Sequence, residues 1–471
     1  MAMTADPPPA ISTSTAAGSA DTGTEPGPRR LPRSIGVFGG TLLTLSCLTP
    51  ASSLFVVVPP LLALTGTGAA LTIVLAGVLC VAVAFCYAEM GTLVPSAGGE
   101  YAMVGTVAGR FSGWLMFALS FVVVLVIPPI FAVGTAGYLA PVLDVDKRVV
   151  GVVVMLLGTL MGLLNLRANA WITGIFLCLE VVAAGVVAFL GFAHTQRPAS
   201  VLVQPTLAEP GQGSVLGPVT IIAGLAVALF VLQGFTTAIY LSEEMRTPRR
   251  TVVRTVLWTL AAGALVVLVP VVAIVLGAPD TATLAAGDVA AMVTGWSTPA
   301  VGVFVSLAIA IAIVNAVVVM VIQNSRVLYA SARDRAWPDG VNRVLGTIGA
   351  RFSSPWPATL VVGVSGAVLC LVPIATLNGV TSVVVAALYL GVVAATLAAR
   401  RGQHRQAPAW RMWGWPVLPV LTAVVLLYVL SQQKASDLVI TLAVVLLAAG
   451  YWRCYLRPRT GERWVVTVPE N

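Results

Sequence analysis

The stretch SCLTPASSLFVVVPP, residues 46–60, places polar residues and proline inside an otherwise apolar run. The run extends over about residues 35–62 and, as a helix, is long enough to cross about 30 Å of hydrocarbon. Pro50 has no N–H and disfavours helical geometry at Thr49, and three small residues follow it. We therefore predict a membrane helix that is interrupted at residues 49–53.

The composition of the whole chain is that of a membrane protein. Of its 471 residues, 58% are hydrophobic and only 9% are charged, far from the average of soluble domains. Apolar stretches of about 17 to 28 residues recur along the chain, and each predicts a transmembrane helix. The expected fold is therefore an all-α integral membrane protein with twelve transmembrane helices, here called spans 1 to 12. Their approximate ranges are 35–62, 69–94, 111–140, 149–165, 169–193, 216–242, 251–277, 299–328, 358–376, 379–399, 414–431 and 437–455.

The basic residues predict the side of the membrane that each loop faces, because lysine and arginine concentrate in cytoplasmic loops. With the N-terminus inside and twelve spans, four of the 26 basic residues fall outside the cell. They are Lys147, Arg148, Arg197 and Lys434. We expect a multi-pass protein of the cell membrane with both termini in the cytoplasm. The net charge of +8 then reflects topology, with anionic membrane lipids as partners and no nucleic acid.

The chain outside the spans carries little chemistry. Residues 1–34 are rich in Pro, Ser, Thr, Gly and Ala and lack the apolar core of a signal peptide, which predicts a disordered cytoplasmic tail. The six cysteines lie in or beside spans without a CxxC pair, and the chain has two histidines, so no metal site, catalytic site or cofactor is indicated. The expected segments are the tail (1–34), spans 1–5 (35–193), an extracellular loop (194–215), spans 6–10 (216–400), spans 11–12 (401–458) and a cytoplasmic tail (459–471).

A second interruption occurs in span 6, at QGFTT, residues 233–237. The two interruptions are five spans apart, and five is odd, so spans 1–5 and spans 6–10 would enter the membrane from opposite sides. Corresponding breaks in two halves are typical of an inverted-repeat transporter with a binding site near the bilayer midplane. The sequence therefore predicts a five-plus-five inverted repeat with discontinuous helices 1 and 6.

Non-helical backbone inside a membrane is tolerated where it is buried in protein or lines a cavity. The N–H groups that start the second half of span 1, from Ser52 to Leu54, form the positive end of a helix dipole and favour a carboxylate. The carbonyl groups around Cys47 and Leu48 favour an ammonium group, so a zwitterion matches both ends. The alternative is a proline kink whose serines bond back to their own helix.

Four stretches match, in order, motifs of one transporter family. ASSLF at 51–55 resembles the small-residue motif of its first span, and PSAGGEY at 95–101 matches its Pro-Ser-x-Gly-Gly-x-Tyr loop. GFTTAIYLSEEMRTPRR at 234–250 resembles its sixth span, and NSRVLYASARDRAWP at 324–338 the end of its eighth. The chain thus resembles an amino acid permease of the amino acid/polyamine/organocation superfamily over about residues 35–400.

The resemblance implies the five-plus-five fold and uptake or exchange of amino acids by alternating access. The first break would bind the substrate carboxylate through backbone N–H groups. The second would offer carbonyl groups to the substrate amino group, with the Phe235 ring as a lid. The implied site consists of Thr49, Ala51, Ser52, Ser53, Gly234, Phe235 and Thr236.

Thr236 is a departure from the family pattern, because many members carry an acid immediately after Gly-Phe. Without that acid a buried cationic side chain of the substrate would lack its partner. The expected substrates are therefore neutral zwitterionic amino acids rather than polyamines or strongly cationic compounds.

Two polar residues inside spans are candidates for ion coupling. Glu180 lies roughly 20 Å along span 5 from Arg167, where an acid is expensive to keep ionised and commonly belongs to a proton relay. Some proton-coupled family members use a lysine in span 5, at the position of Phe176, one turn from Glu180. We expect Glu180 to be neutral when substrate is bound and ionised when the site is empty, the alternative being permanent protonation. Asn315 in span 8 is placed near a cation position of related folds or in a contact between helices.

Charged residues after spans 6 and 8 are candidates for a cytoplasmic gate: Glu243, Glu244 and Arg333. Such clusters also fix loop geometry at the headgroup level.

Other classes of function remain open from sequence. They are an exchanger without ion coupling, a non-transporting sensor, an ion channel and a membrane-embedded enzyme. An enzyme would need paired acids, or a base and a nucleophile, inside the membrane, and Glu180 is the only acid well inside a span.

Overall fold

The structure is a computed structural model that describes residues 35–94, 96, 98–143, 145–164, 170–206, 217–349, 354–401 and 410–464. The expected tail of residues 1–34 and the last residues of the second tail lie outside these ranges. Within the described ranges every regular element is a helix, and Ile35 and Met245 form an isolated bridge.

The helices follow the predicted spans in order. Spans 1–5 contain α1 (Val37–Leu48), α2 (Pro50–Ser52), a π-helix (Ser53–Val57), α3 (Val58–Thr65), a 3-10 turn (Gly66–Gly68), α4 (Ala69–Leu93), α5 (Gly99–Ala108), α6 (Arg110–Leu139), α7 (Lys147–Leu163) and α8 (Ala170–Ala193). A 3-10 turn (Ala199–Leu202) precedes spans 6–10, which contain α9 (Pro218–Val231), a 3-10 helix (Phe235–Glu244), α10 (Pro248–Gly277), α11 (Thr281–Ala286), α12 (Val289–Trp296), α13 (Pro299–Arg333), α14 (Asp339–Leu345), α15 (Trp356–Leu369) and α16 (Ile374–Ala399). The chain continues with α17 (Val417–Ser431), α18 (Ala435–Tyr451), a π-helix (Trp452–Leu456) and a 3-10 turn (Arg457–Arg459).

Eight helical segments of the described chain are long and apolar enough to cross a membrane. The first, Val37–Leu93, covers spans 1 and 2. Two further apolar helices, α15 and α17, are shorter, with 14 and 15 residues. The chain is therefore a multi-pass helical membrane protein.

The outward faces of the helices are apolar, as a bilayer requires. Phe304 on α13 is 74% exposed, and Phe189, Leu265 and Leu447 are also exposed on three other helices. Large apolar side chains facing outward from several spans would be costly in water. Exposed apolar faces of this kind are typical of helices that lie in a bilayer.

Spans 1 and 6 run in opposite directions and meet at both ends. At one end the Arg246 N–H donates to the Ile35 carbonyl oxygen at 3.0 Å, so the start of span 1 lies beside the end of span 6. At the other end the Thr206 N–H donates to Thr67 Oγ1 at 2.8 Å, and a Cβ atom on Gly68 would lie 2.9 Å from Ile221 Cδ1 in the first turn of α9. We call the end at residues 35 and 246 the inner end of the bundle, and the end at residues 67 and 206 the outer end.

The helix boundaries differ from the predicted ones in spans 8 to 10. The helix of span 8 continues to Arg333, beyond the predicted end at residue 328. The helix of span 9 ends at Leu369 rather than near residue 376, and Pro373 is the residue before the next helix. Proline favours a helix start and cannot continue the preceding helix, so span 10 begins earlier than predicted.

The described part of the second tail, up to residue 464, packs against the inner end. Arg110 donates to the carbonyl oxygens of Thr460 and Arg463, each at 2.6 Å. The Trp464 side chain is buried, and its ring centroid lies 5.2 Å from that of Tyr101. Residues 459–464 are therefore part of the folded bundle.

Candidate functional site

Span 1 is interrupted at Thr49, as the sequence predicts. Thr49 has φ 45° and ψ 64°, a left-handed conformation that ends α1 at Leu48. The chain resumes as a helix at Pro50 and passes through a π-helix over residues 53–57. The left-handed residue separates two helical pieces, unlike a proline kink within one continuous helix, although the Ser53 hydroxyl group does bond back to the Leu48 carbonyl oxygen at 3.4 Å, as that alternative predicts.

The interruption leaves fewer free N–H groups than the sequence suggests. The Ser53 N–H donates to the Thr49 carbonyl oxygen at 3.0 Å. Thr49 is the residue before the second helical piece, so its carbonyl oxygen accepts the first hydrogen bond of that piece. Pro50 has no N–H. The N–H groups at the start of the second half of span 1 are therefore those of Ala51 and Ser52.

Span 6 is interrupted at Gly234, directly beside the break in span 1. α9 ends at Val231, Gly234 has φ 128°, and a 3-10 helix follows. A Cβ atom on Gly234 would lie 2.6 Å from the Leu48 Cα. Only glycine adopts this φ readily and allows so close an approach of the backbone. The two breaks therefore face each other, with Leu48 and Gly234 in contact.

Three buried polar atoms without hydrogen-bond partners among the described residues lie at the break in span 1. Thr49 Oγ1 and Ser52 Oγ are buried and have no hydrogen-bond partner among the described residues, and the same holds for Glu180 Oε2. The Ala51 N–H donates to the Glu180 carboxyl group, so this acid of span 5 reaches the break. Buried polar atoms are normally hydrogen-bonded, so this cluster suits a polar ligand.

Span 6 contributes groups that already have partners within the protein. The Gly234 carbonyl oxygen accepts hydrogen bonds from Thr237, at 3.0 Å from its N–H and 2.7 Å from its hydroxyl group. The Phe235 side chain is fully buried, and its ring centroid lies 6.2 Å from that of Tyr87 and 5.9 Å from that of Tyr389. Phe235 thus belongs to an aromatic cluster that joins spans 2, 6 and 10.

Glu100, in the PSAGGEY motif, is a buried acid that the sequence analysis did not single out. Tyr87 donates to Glu100 Oε1 at 3.3 Å, Tyr240 donates to Oε2, and the Thr236 hydroxyl group also bonds to the carboxyl group. Burial raises the pKa of Glu100 above its ordinary value, and the hydroxyl donors oppose that rise. An acid therefore does lie next to Thr236, and α5 supplies it.

The ion-coupling candidate of span 8, Asn315, is half-buried and makes no hydrogen bond that we find among the described residues. Two other amides of the same helix make the contacts between helices. Gln323 Nε2 donates to Cys47 Sγ in span 1 at 2.6 Å, and Asn324 Nδ2 donates to the Val124 carbonyl oxygen in span 3 at 2.6 Å. The amide that reaches the broken helix is thus Gln323.

The predicted gate residues Glu243, Glu244 and Arg333 are not seen to form a cluster in the part of the chain that the structure describes. The Arg333 side chain is 65% exposed and lies 3.7 Å from its neighbour Asp334. The side chains of Glu243 and Glu244 lie outside the described part of the structure.

A buried ion pair between Glu89 and Arg400 holds the ends of spans 2 and 10 together. Arg400 donates to both carboxylate oxygens of Glu89, each at 2.6 Å, and the Met412 N–H donates to Glu89 Oε2 at 2.8 Å. The pair joins the ends of spans 2 and 10 to the start of span 11. Bidentate geometry and full partnering indicate a structural tie.

Comparison with known proteins gives a match to the amino acid permease family over residues 35–449. The chain is 28% identical over 387 residues to the branched-chain amino acid permease BcaP of Lactococcus lactis subsp. cremoris, covering 76% of this chain and 80% of the relative. It is 22% identical over 459 residues to the branched-chain amino acid permease BcaP of Bacillus subtilis, with coverages of 92% and 94%. It is 24% identical over 420 residues to the methylthioribose transporter of Bacillus subtilis, with coverages of 85% and 88%. The match extends over both broken spans and almost all of the described bundle, and the chain belongs to the amino acid permease family.

Proposed function

We propose that the protein carries neutral zwitterionic amino acids across the cell membrane by alternating access, with the two helix breaks as the substrate site. One observation carries the proposal: the breaks of spans 1 and 6 lie against each other inside an apolar bundle, and three buried polar atoms without partners among the described residues lie at the first. A zwitterion is the ligand whose two charges match the N–H groups and carbonyl groups of broken helices.

The proposed topology has twelve spans with both termini in the cytoplasm, so that the inner end faces the cytoplasm. Spans 1–5 and 6–10 would form an inverted repeat. The antiparallel course of spans 1 and 6 supports this arrangement, as does the position of both breaks at one level of the bundle.

The proposed polar contacts to the substrate come from the two halves of span 1, and span 6 covers the site. The carboxylate binds the N–H groups of Ala51 and Ser52, with the hydroxyl groups of Thr49 and Ser52 as further donors. The ammonium group binds carbonyl oxygens at the end of α1, and the Phe235 ring covers the site. Two relatives of high coverage are named as branched-chain amino acid permeases, which supports leucine, isoleucine and valine as first substrates to test.

Glu180 is proposed to couple substrate binding to proton binding. Its carboxyl group bonds to the Ala51 N–H, which is one of the groups that the substrate carboxylate needs. When the substrate carboxylate takes this N–H, two carboxylates lie side by side, and like charges at that distance cannot both persist in a buried site. Glu180 then takes up a proton. By linkage, protons and substrate favour each other's binding, which is the requirement of a proton symporter.

Two alternatives are each supported by one observation. The relative named as a methylthioribose transporter has high coverage, so a substrate outside the amino acids is the first alternative. Glu180 Oε2 without a partner would also suit a cationic group, so lysine and arginine are the second. An exchanger without ion coupling would use the same contacts but leave Glu180 permanently protonated.

The test is counterflow of labelled leucine into liposomes that contain the purified protein. An excess of unlabelled leucine inside the vesicles should drive accumulation of label. Competition outside should rank leucine, isoleucine and valine above lysine, arginine, putrescine and methylthioribose. If methylthioribose or lysine competes best, the neutral amino acid assignment is overturned, and if no compound shows counterflow, the transport function is overturned.

A further inference from the structure

Glu100 is buried, and its side-chain partners among the described residues are all hydroxyl groups, with its own backbone N–H as a further donor. Its exposed fraction is 5%, and its partners come from span 2 (Tyr87) and from the 3-10 half of span 6 (Tyr240 and Thr236). A buried carboxyl group held by neutral hydroxyls gains less than one held by a cation, so these bonds can be exchanged at moderate cost. The network therefore differs from the Glu89–Arg400 ion pair at the same end of the bundle.

The glycine before Glu100 makes this network possible. Gly99 has φ 59°, and a Cβ atom at this position would overlap the ring of Tyr240. The absence of a side chain lets the Tyr240 ring lie directly on the backbone of the motif, so that its hydroxyl group reaches the next residue, Glu100. The inner half of span 6 therefore packs directly on the Gly-Gly-Glu backbone through the Tyr240 ring.

The neighbouring residue anchors α5 on its other side. The Tyr101 hydroxyl group donates to Asp334 Oδ2 at 3.0 Å, at the end of span 8, and the Trp464 ring packs against the Tyr101 ring. α5 is thus tied to the end of span 8 and the C-terminal segment. By contrast, Phe235–Glu244 is a ten-residue 3-10 helix, longer than most, with the weaker hydrogen-bond geometry of that form. Of the two elements that Glu100 joins, α5 is therefore the fixed one, and the 3-10 helix Phe235–Glu244 is the one expected to move.

We infer that Glu100 is a positioning residue of the cytoplasmic gate: it holds the inner half of span 6 closed against α5 and span 2, through Tyr240 and Thr236. Opening the site toward the cytoplasm requires these bonds to break. Because Thr236 follows Phe235 directly, the hydrogen bonds to Glu100 also connect the gate to the Phe235 ring, which is proposed to cover the substrate. This inference rests on the proposed function, since it takes the inner end as the cytoplasmic end.

Cys47 is a native reporter of this opening. It is half-buried at the inner side of the break in span 1, bonded to Gln323 of span 8 and beside Thr237 of span 6. Movement of residues 235–244 away from span 1 would expose its thiol group. The reporter protein keeps Cys47 and replaces the other five cysteines by alanine.

The experiment measures the rate at which a thiol reagent labels Cys47 in the substrate-free purified protein. Tyr240→Phe removes one hydroxyl donor and Glu100→Ala removes the carboxyl group, and labelling should accelerate about five-fold and about ten-fold respectively. Glu100→Gln keeps the size and one acceptor oxygen and should restore a rate close to that of the parent. Tyr138→Phe is the matched control, because it removes the same group from a buried tyrosine, whose hydroxyl group donates to Phe55 O at 2.7 Å in the outer half of span 1.

Unchanged Cys47 labelling in folded Tyr240→Phe and Glu100→Ala overturns the inference, as does equal acceleration in Tyr138→Phe. Melting temperature and size-exclusion elution distinguish gate opening from unfolding. The accelerated labelling must occur in variants that stay folded and elute as the parent protein does. If Glu100→Ala does not fold, Tyr240→Phe alone decides. Failure of the proposed function has a different signature, since the parent protein would then show no counterflow whatever the labelling rates.

Discussion

The breaks in spans 1 and 6 face each other, but they are built in opposite ways. At the first break the helix stops for a single residue, Thr49, and three buried oxygens beside it, of Thr49, Ser52 and Glu180, have no partner among the described residues. At the second the helix stops at Gly234 and becomes a 3-10 helix, and the groups next to the break, Gly234 O and the Thr236 hydroxyl, have partners in Thr237 and Glu100.

This difference assigns a separate task to each break. A polar group without a partner gains most from a ligand, so we propose the first break as the substrate site. A segment of 3-10 helix held by exchangeable hydroxyl bonds changes conformation at low cost, so the second break is the moving part. The account therefore predicts different consequences for changes at the two breaks.

The largest effect is expected at the contact between the breaks. Gly234→Ala introduces a Cβ at φ 128° and 2.6 Å from the Leu48 Cα, so one break must move away from the other. Uptake should fall by more than about 100-fold, since a displacement of about 1 Å already costs that much in a positioned site. Gly137→Ala, in span 3, is the control, because its Cβ would meet nothing within 4 Å. Normal uptake by correctly folded Gly234→Ala would show that the breaks need not touch.

The next effect concerns coupling at the first break. Glu180→Gln keeps the shape of the side chain but cannot exchange a proton. In liposomes an inward proton gradient should raise leucine uptake about ten-fold for the parent and leave the variant unchanged. For the parent the apparent KM should fall as the external pH falls, because protons favour substrate binding, and for the variant it should not vary with pH.

The control for this variant is Asp437→Asn, which removes another buried acid, at the start of span 12. It should keep the response to the gradient. A parent protein that ignores the gradient would make Glu180 a structural acid and favour the exchanger.

A smaller effect is expected from one hydroxyl group at the first break. Ser52→Ala removes a buried oxygen that has no partner among the described residues, so the free energy of unfolding should not fall. Loss of one hydrogen bond to the substrate carboxylate should raise KM about three- to ten-fold with kcat almost unchanged. Thr44→Val is the control, because the Thr44 hydroxyl group bonds inside its own helix, to Gly40 O at 2.7 Å. A KM equal to that of the parent would remove Ser52 from the site.

The smallest effect is expected in span 8. Asn315 is half-buried and makes no hydrogen bond that we find among the described residues, so Asn315→Ala should change uptake by less than about two-fold. Replacement of sodium by potassium in the assay should likewise leave uptake unchanged. Strict dependence on sodium would contradict this interpretation of span 8.

The sequence predicts the helices and the two breaks because their causes are local. Pro50 removes an N–H and Gly234 permits a positive φ, wherever the rest of the chain lies. Glu100 was missed because its burial depends on Tyr240, a residue 140 positions later, and an acid in a loop motif is otherwise expected in water. For the same reason the sequence could not distinguish Gln323 from Asn315, since the choice depends on which face of span 8 meets Cys47.

The central claim is that one substrate molecule bridges the two halves of span 1 at its break, and protection of Cys47 by ligands tests it most directly. Cys47 lies at the end of the first half of span 1, where the substrate ammonium group is proposed to bind. In the single-cysteine protein, leucine should slow labelling of Cys47, whereas 3-methylbutylamine, which lacks the carboxylate, and 4-methylpentanoate, which lacks the ammonium group, should not at the same concentration. Equal protection by either analogue, or no protection by leucine in a protein that transports it, would contradict the account.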